Sequence, residues 1–92
     1  MKFMLTWAIP SDAHEETCKL FLETGGPSPA GIKRLGRWHA PGSLTGFHLI
    51  ETDDLLAVAA EVAQWARLCE LKVTPVLDDE EGATSLATVY GD

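Results

Sequence analysis

The chain predicts an α+β fold of the ferredoxin-like kind: a βαββαβ sandwich in which two helices cover one face of a four-stranded antiparallel sheet of order 4-1-3-2. Three observations carry that expectation. The block from Trp38 to Val76 reads as strand, turn, strand, helix and strand in succession. A strand-like run with period-two alternation opens the chain at Lys2. Pro10 separates that run from a helical segment closed by Gly25-Gly26-Pro27.

Taken in order, Lys2 to Ile9 sets Phe3, Leu5, Trp7 and Ile9 on one side and Met4, Thr6 and Ala8 on the other. Beyond Pro10, Ser11 or Asp12 can cap a helix, with Glu15 near its positive end, and that helix runs to about Thr24. Gly26 to Gly31 reads as a loop and Ile32 to His39 as the second strand. Ala40-Pro41-Gly42-Ser43 suits a type I or II turn, since Pro presets the second position and Gly tolerates positive φ at the third. A two-residue Pro41-Gly42 loop pairs His39 with Leu44, Arg37 with Gly46 and Leu35 with His48. Those residues then share one face, with Trp38, Phe47 and Leu49 on the other. Thr52 is placed as an N-cap with Asp53 and Asp54 in the first helical turn. Leu55, Val58, Ala59, Val62, Trp65 and Ala66 recur at helical spacing as its buried face. Glu70 to Leu77 gives the fourth strand, an edge strand because Pro75 donates no ladder hydrogen bond. Asp78 begins a short terminal helix through Leu86.

Composition bounds the function. With 92 residues the chain is expected to form one domain, 1–92, near the lower end of what a single core stabilises unaided. A net charge of −7 argues against nucleic acid or an anionic membrane as partner. Asp78, Asp79, Glu80 and Glu81 form a local acidic run, read as a solvated helix start or tail, with a metal-binding patch as the lesser alternative. No signal peptide and no stretch near the roughly 20 apolar residues of a membrane helix are seen, so a cytoplasmic location is expected. Cys18 and Cys69 lack CxxC spacing and read as buried thiols.

Lys2-Phe3-Met4 with Trp7, the Thr52-Asp53-Asp54 helix start, Trp65 and the run Val73-Thr74-Pro75-Val76-Leu77-Asp78 resemble the DUF3303 family. The resemblance spans nearly the whole chain and is most specific from the third strand to the fourth. It implies the dimeric α/β-barrel superfamily, in which two ferredoxin-like protomers face each other's open sheets. That superfamily includes cofactor-free monooxygenases, haem proteins similar to chlorite dismutase and enzymes similar to muconolactone isomerase. No functional residue transfers with the resemblance.

The site is therefore sought on the open sheet face. The proposed register gathers Thr6, Leu35, Arg37, His39, His48, Thr74 and Val76 there, with Met4 and Ile50 as apolar lining. His48 is the candidate acid or base, since imidazole titrates near working pH. The competing reading is a polar residue satisfied at a wet dimer interface. Thr6, Arg37, His39 and Thr74 are candidate ligand-binding residues. Lys33, Arg34 and Arg37 form the one basic cluster, and alternation sends Arg34 to the side opposite Arg37. Arg37 reads either as an anion-capturing group or as a charge protecting an edge strand. The histidines show no metal spacing, no phosphate-binding loop or GxSxG elbow is present, and no cofactor is implied. Two functions remain. One is a homodimer that binds a small hydrophobic or weakly acidic ligand, and the other a cofactor-independent monooxygenase or isomerase using His48.

Overall fold

Alternating apolar side chains form four strands, β1 (Lys2–Ala8), β2 (Lys33–Ala40), β3 (Thr45–Glu51) and β4 (Glu70–Val76). The structure, a computed structural model, describes residues 1–91. A single 3-10 turn over Ser11–Ala13 leads into α1 (His14–Thr24), α2 (Leu55–Trp65) joins β3 to β4, and α3 (Asp79–Tyr90) follows β4. The sheet runs β2-β3-β1-β4, which counted from the other edge is 4-1-3-2. All three pairings are antiparallel, and Pro75 lies on the edge strand β4.

Phe3, Leu5, Ile50 and Val58 form the buried core, with Ile32, Val62 and Leu71 packed against it. Each fully buried side chain of this size stabilises the fold by about 1.5–3 kcal/mol. This core fixes which sheet face the helices cover, namely the one carrying Phe3, Leu5 and Ile50.

Several local expectations are corrected. The β2–β3 hairpin pairs Ala40 with Thr45 and Arg37 with His48, so its loop is four residues long, not two. Within it Ser43 N–H donates to Ala40 O and Gly42 has φ +84°, the geometry of a type II turn with Pro41 leading. A type II turn splays right-twisted strands, so pairing resumes later than a tight loop allows. The shift is two residues and leaves the facings from Gly36 through Leu49 unchanged, while a bulge between Arg34 and Gly36 reverses that of Arg34.

Neither Ser11 nor Asp12 caps α1. The 3-10 turn takes up those residues, and Ala13 stands at the N-cap. Asp54, rather than Thr52, caps α2 by accepting from Leu56 N–H at 3.0 Å. Thr52 is buried and accepts from Asp54 N–H, so it shapes the approach to the helix. The buried residues of α2 are Ala57, Val58 and Glu61, whereas Leu55, Ala59 and Ala66 are exposed. The terminal helix extends past Leu86 to Tyr90, and the acidic run is its start. There Asp78 accepts from Glu81 N–H, and the Glu81 carboxylate accepts from Asp78 N–H, a complete capping box.

Candidate functional site

His48 lies under the helices, not on the open face. β1 pairs with β3 so that Leu5 stands opposite His48 and Phe3 opposite Ile50, placing both β3 residues on the covered face. Met4 is opposite Leu49 and Thr74, and Thr6 is opposite Phe47 and Lys72. Thr6, Thr74, Met4 and Val76 therefore occupy the other face, away from His48, and Ile50 is a core residue, fully buried. The expected cluster of Thr6 and Thr74 with Arg37, His39 and His48 does not assemble. The physical reason is that β3 presents two almost equally apolar sides, Phe47/Leu49 and His48/Ile50. Burying the second is tolerable only because distant residues satisfy the imidazole.

Those residues are Glu61 and Arg34. His48 is 4% exposed and Glu61 3% exposed, and His48 Nδ1 lies 3.3 Å from Glu61 Oε1. Arg34 Nε–H donates to His48 Nε2 at 3.1 Å. Because Nε2 accepts that bond, the hydrogen-bond network assigns the ring proton to Nδ1, which faces Glu61 Oε1. Ser28 Oγ also donates to Glu61 Oε1, at 3.2 Å, while Oε2 is buried with no partner. Both nitrogens of His48 thus face a partner, and the unpartnered acceptor of the cluster is Glu61 Oε2.

Arg34 reaches this cluster through a bulge. The β2–β3 register shifts between Arg34 and Gly36, so Arg34 pairs with Ile50 and Arg37 with His48. The extra residue cancels the alternation and turns both arginines to the covered face, where strict alternation sends them apart. Arg34 Nη2 and Arg37 Nη1 both donate to Gly26 O, at 2.8 and 2.7 Å, and Arg37 Nη2 donates to Gly25 O at 2.9 Å. Gly26 has φ +57°, and a Cβ there would meet Arg37 Nη1 at 2.9 Å and the Phe21 ring at 3.1 Å. Glycine at this position thus lets the carbonyls after α1 receive two guanidinium groups. The Arg37 guanidinium lies 4.9 Å from the Phe21 ring centroid. Burial, with Arg34 nearby, lowers the Arg37 pKa from its ordinary value. Arg37 is therefore bound into the scaffold at the α1 C-terminus.

Between helices and sheet lies a cavity of about 420 Å³. Leu5, Trp7 and Leu71 supply its floor, Phe21 and Leu22 of α1 one wall, and Trp65 of α2 another. His48 and Glu61 line it as well, so the hydrogen-bonded cluster belongs to this space. His39 also borders it, exposed, with its ring edge-on to Trp7 and Phe21 at 5.4 and 5.3 Å. Trp7 lies over Gly46, where a Cβ would fall inside the indole. Both thiols contribute: Cys69 is buried, which raises its pKa, and Cys18 is half-buried, not buried as expected.

Glu61 and Ser28 were not legible as site residues. Glu61 scores as a polar interruption of the α2 pattern, although it falls three residues after Val58 and four before Trp65. A carboxylate inside an apolar helical stripe is the available signal.

The architecture defines a ferredoxin-like α+β protein with an apolar cavity between its helices and sheet, lined in part by a buried His–Glu pair. Residues 1–90 match the family model described as Domain of unknown function (DUF3303), and the chain belongs to that family. No curated protein and no solved structure matches the chain.

Proposed function

We propose that the protein binds one small, largely apolar molecule in the cavity between its helices and sheet. The observation that carries this reading is a space of about 420 Å³ with walls of Leu5, Trp7, Phe21, Trp65 and Leu71. Such a volume lies within the range of small-ligand sites, which combine apolar walls with a few convergent polar groups. The open sheet face, first expected to hold the ligand, has the wrong composition now that His48 and Arg37 lie beneath the helices. NMR titration with naphthalene tests the proposal. Saturable shifts of the Leu5 and Leu71 methyls and of the Trp7 and Trp65 indoles are expected. Shifts confined to Trp38 and Phe47 would place the ligand on the other face and defeat it.

A second reading, acid–base catalysis without a cofactor, rests on the unpartnered Glu61 Oε2. In it Glu61 takes the proton and His48 holds the carboxylate in place. Deuterium exchange into the activated methylene of 2-tetralone in D₂O, abolished in Glu61→Gln, is the expected sign. Exchange at the buffer rate removes this reading and leaves binding.

The open face and α3 support a homodimer. Trp38 and Phe47 are exposed there at 53% and 43%. Helix α3 buries none of its residues and exposes Leu86, Val89 and Tyr90 on one side. A compact chain of this length has a radius of gyration of about 12 Å, whereas this one measures 15.5 Å. Isolated helices shorter than about 12–15 residues are marginal in water, so α3 needs a surface to pack on. A second copy offers one reciprocally: its sheet face carries the exposed aromatics and Lys72, and α3 brings its apolar stripe with Asp79 and Glu80.

A further inference from the structure

We infer that the molecule held in the cavity is a neutral hydrogen-bond donor, an O–H or N–H on an apolar ring system, and that Glu61 Oε2 accepts its proton-bearing group. The inference rests on the cavity-binding reading and adds the chemistry of the ligand.

Glu61 is 3% exposed and borders the cavity. Its Oε1 is fully used, accepting from Ser28 Oγ at 3.2 Å and facing His48 Nδ1 at 3.3 Å. Its Oε2 has no partner among the described residues. Leaving a buried acceptor unmade costs about 1–3 kcal/mol, more for a charged group, so native folds rarely retain one without a use. The rest of the cluster is arranged to hold the other oxygen fixed. Arg34 pins His48 in the Nδ1–H tautomer, and Arg34 is itself anchored on the Gly26 carbonyl. A ligand donor that reaches Oε2 by displacing a neighbouring cavity side chain completes the set.

Charge narrows the class. A carboxylate ligand would bring a second negative group against Glu61, while Arg34 and Arg37 already donate to His48 and to the Gly25 and Gly26 carbonyls. An ammonium ligand would be desolvated among Leu5, Trp7 and Trp65, beside two guanidinium groups, Arg34 and Arg37, that already outnumber the one carboxylate of Glu61. A neutral donor meets neither cost.

The test uses four probes of one size with the full-length protein: naphthalene, 2-naphthol, 2-methoxynaphthalene and 2-naphthoate, each titrated by NMR. Binding of 2-naphthol about tenfold tighter than naphthalene is expected, the worth of one hydrogen bond to a charged acceptor. 2-Methoxynaphthalene should bind no better than naphthalene, and 2-naphthoate should bind weakest. In Glu61→Gln the ratio of 2-naphthol to naphthalene affinity should fall to about twofold or less. Equal affinity for naphthalene and 2-naphthol in the unaltered protein overturns the inference and leaves cavity binding standing. Preference for 2-methoxynaphthalene or 2-naphthoate overturns it as well. Absence of binding by all four defeats the cavity reading itself. The probe ratio in the unaltered protein decides the matter even if the variant does not fold.

Discussion

At the scale of single residues, the buried Glu61–His48 pair has a measurable signature. Each group depends on the other, because a buried polar atom that loses its partner keeps its desolvation cost. His48→Leu leaves Glu61 Oε1 with Ser28 alone, and we expect a loss of about 3 kcal/mol in urea unfolding. Glu61→Leu leaves His48 Nδ1–H unmatched and is expected to be destabilising in its turn. The double variant should recover part of either loss, since apolar replacements of both partners can be neutral or stabilising. Strict additivity of the two single losses would show that the pair does not act as a unit. Apparent conservatism in composition hides this dependence: nothing adjacent to His48 in the chain is charged, and its partners come from 14 and 13 residues away.

Elements explain how those partners arrive. The bulge at Leu35 turns Arg34 inward, and the glycines that end α1 present the carbonyls that receive it. Helix α3 is specified more locally. Asp78 caps it, and the backbone N–H of Glu81 first, then Lys2, hold the Asp78 pKa below its ordinary value. Lys2 in turn bonds Glu81 at 3.0 Å and approaches Asp78 at 3.5 Å, and its pKa is raised above 10.5, chiefly by the Glu81 hydrogen bond. The signs follow from linkage. The contribution of Asp78 is present above its ordinary pKa and is lost as pH falls through the depressed value. That of Lys2 is present below its ordinary pKa and is lost as pH rises through the raised one. The start of α3 should therefore hold through the neutral range and fray in strong acid and strong base. An NMR titration of the Glu81 amide, which donates to Asp78 Oδ1 at 2.8 Å, reads the acid limb. A midpoint at or above that of an unperturbed aspartate would remove the cap from the account.

On the scale of the whole molecule, the principal extents of 55 × 30 × 17 Å describe a flat, elongated body. No helix among the described residues is long and apolar enough to cross a membrane. We expect light scattering at micromolar concentration to give twice the chain mass. Phe47→Lys on the sheet face, or removal of the residues after Leu77, should shift that mass toward the monomer. A dimer unaffected by either change would place the interface elsewhere, and a monomer throughout would end the proposal.

Local chemistry was sufficient for the elements and their order. Pro10, the Gly25-Gly26-Pro27 stop, the Pro41-Gly42 turn and Pro75 punctuate the chain, and the alternation of Phe3, Leu5 and Trp7 marks a half-buried strand. Each of those signals acts within a few residues, which is why it could be read without coordinates. Facing in β3 could not, because Phe47/Leu49 and His48/Ile50 are nearly balanced and the choice falls to Glu61 and Arg34 on other elements. One extra residue at Leu35 reverses the side on which Arg34 lies, and alternation carries no sign of it. The amino-acid sequence by itself determined a βαββαβ sheet with two helices and an edge at β4. Only the tertiary structure decided that the polar cluster is buried beneath those helices, since burial of an imidazole depends on partners brought together by folding.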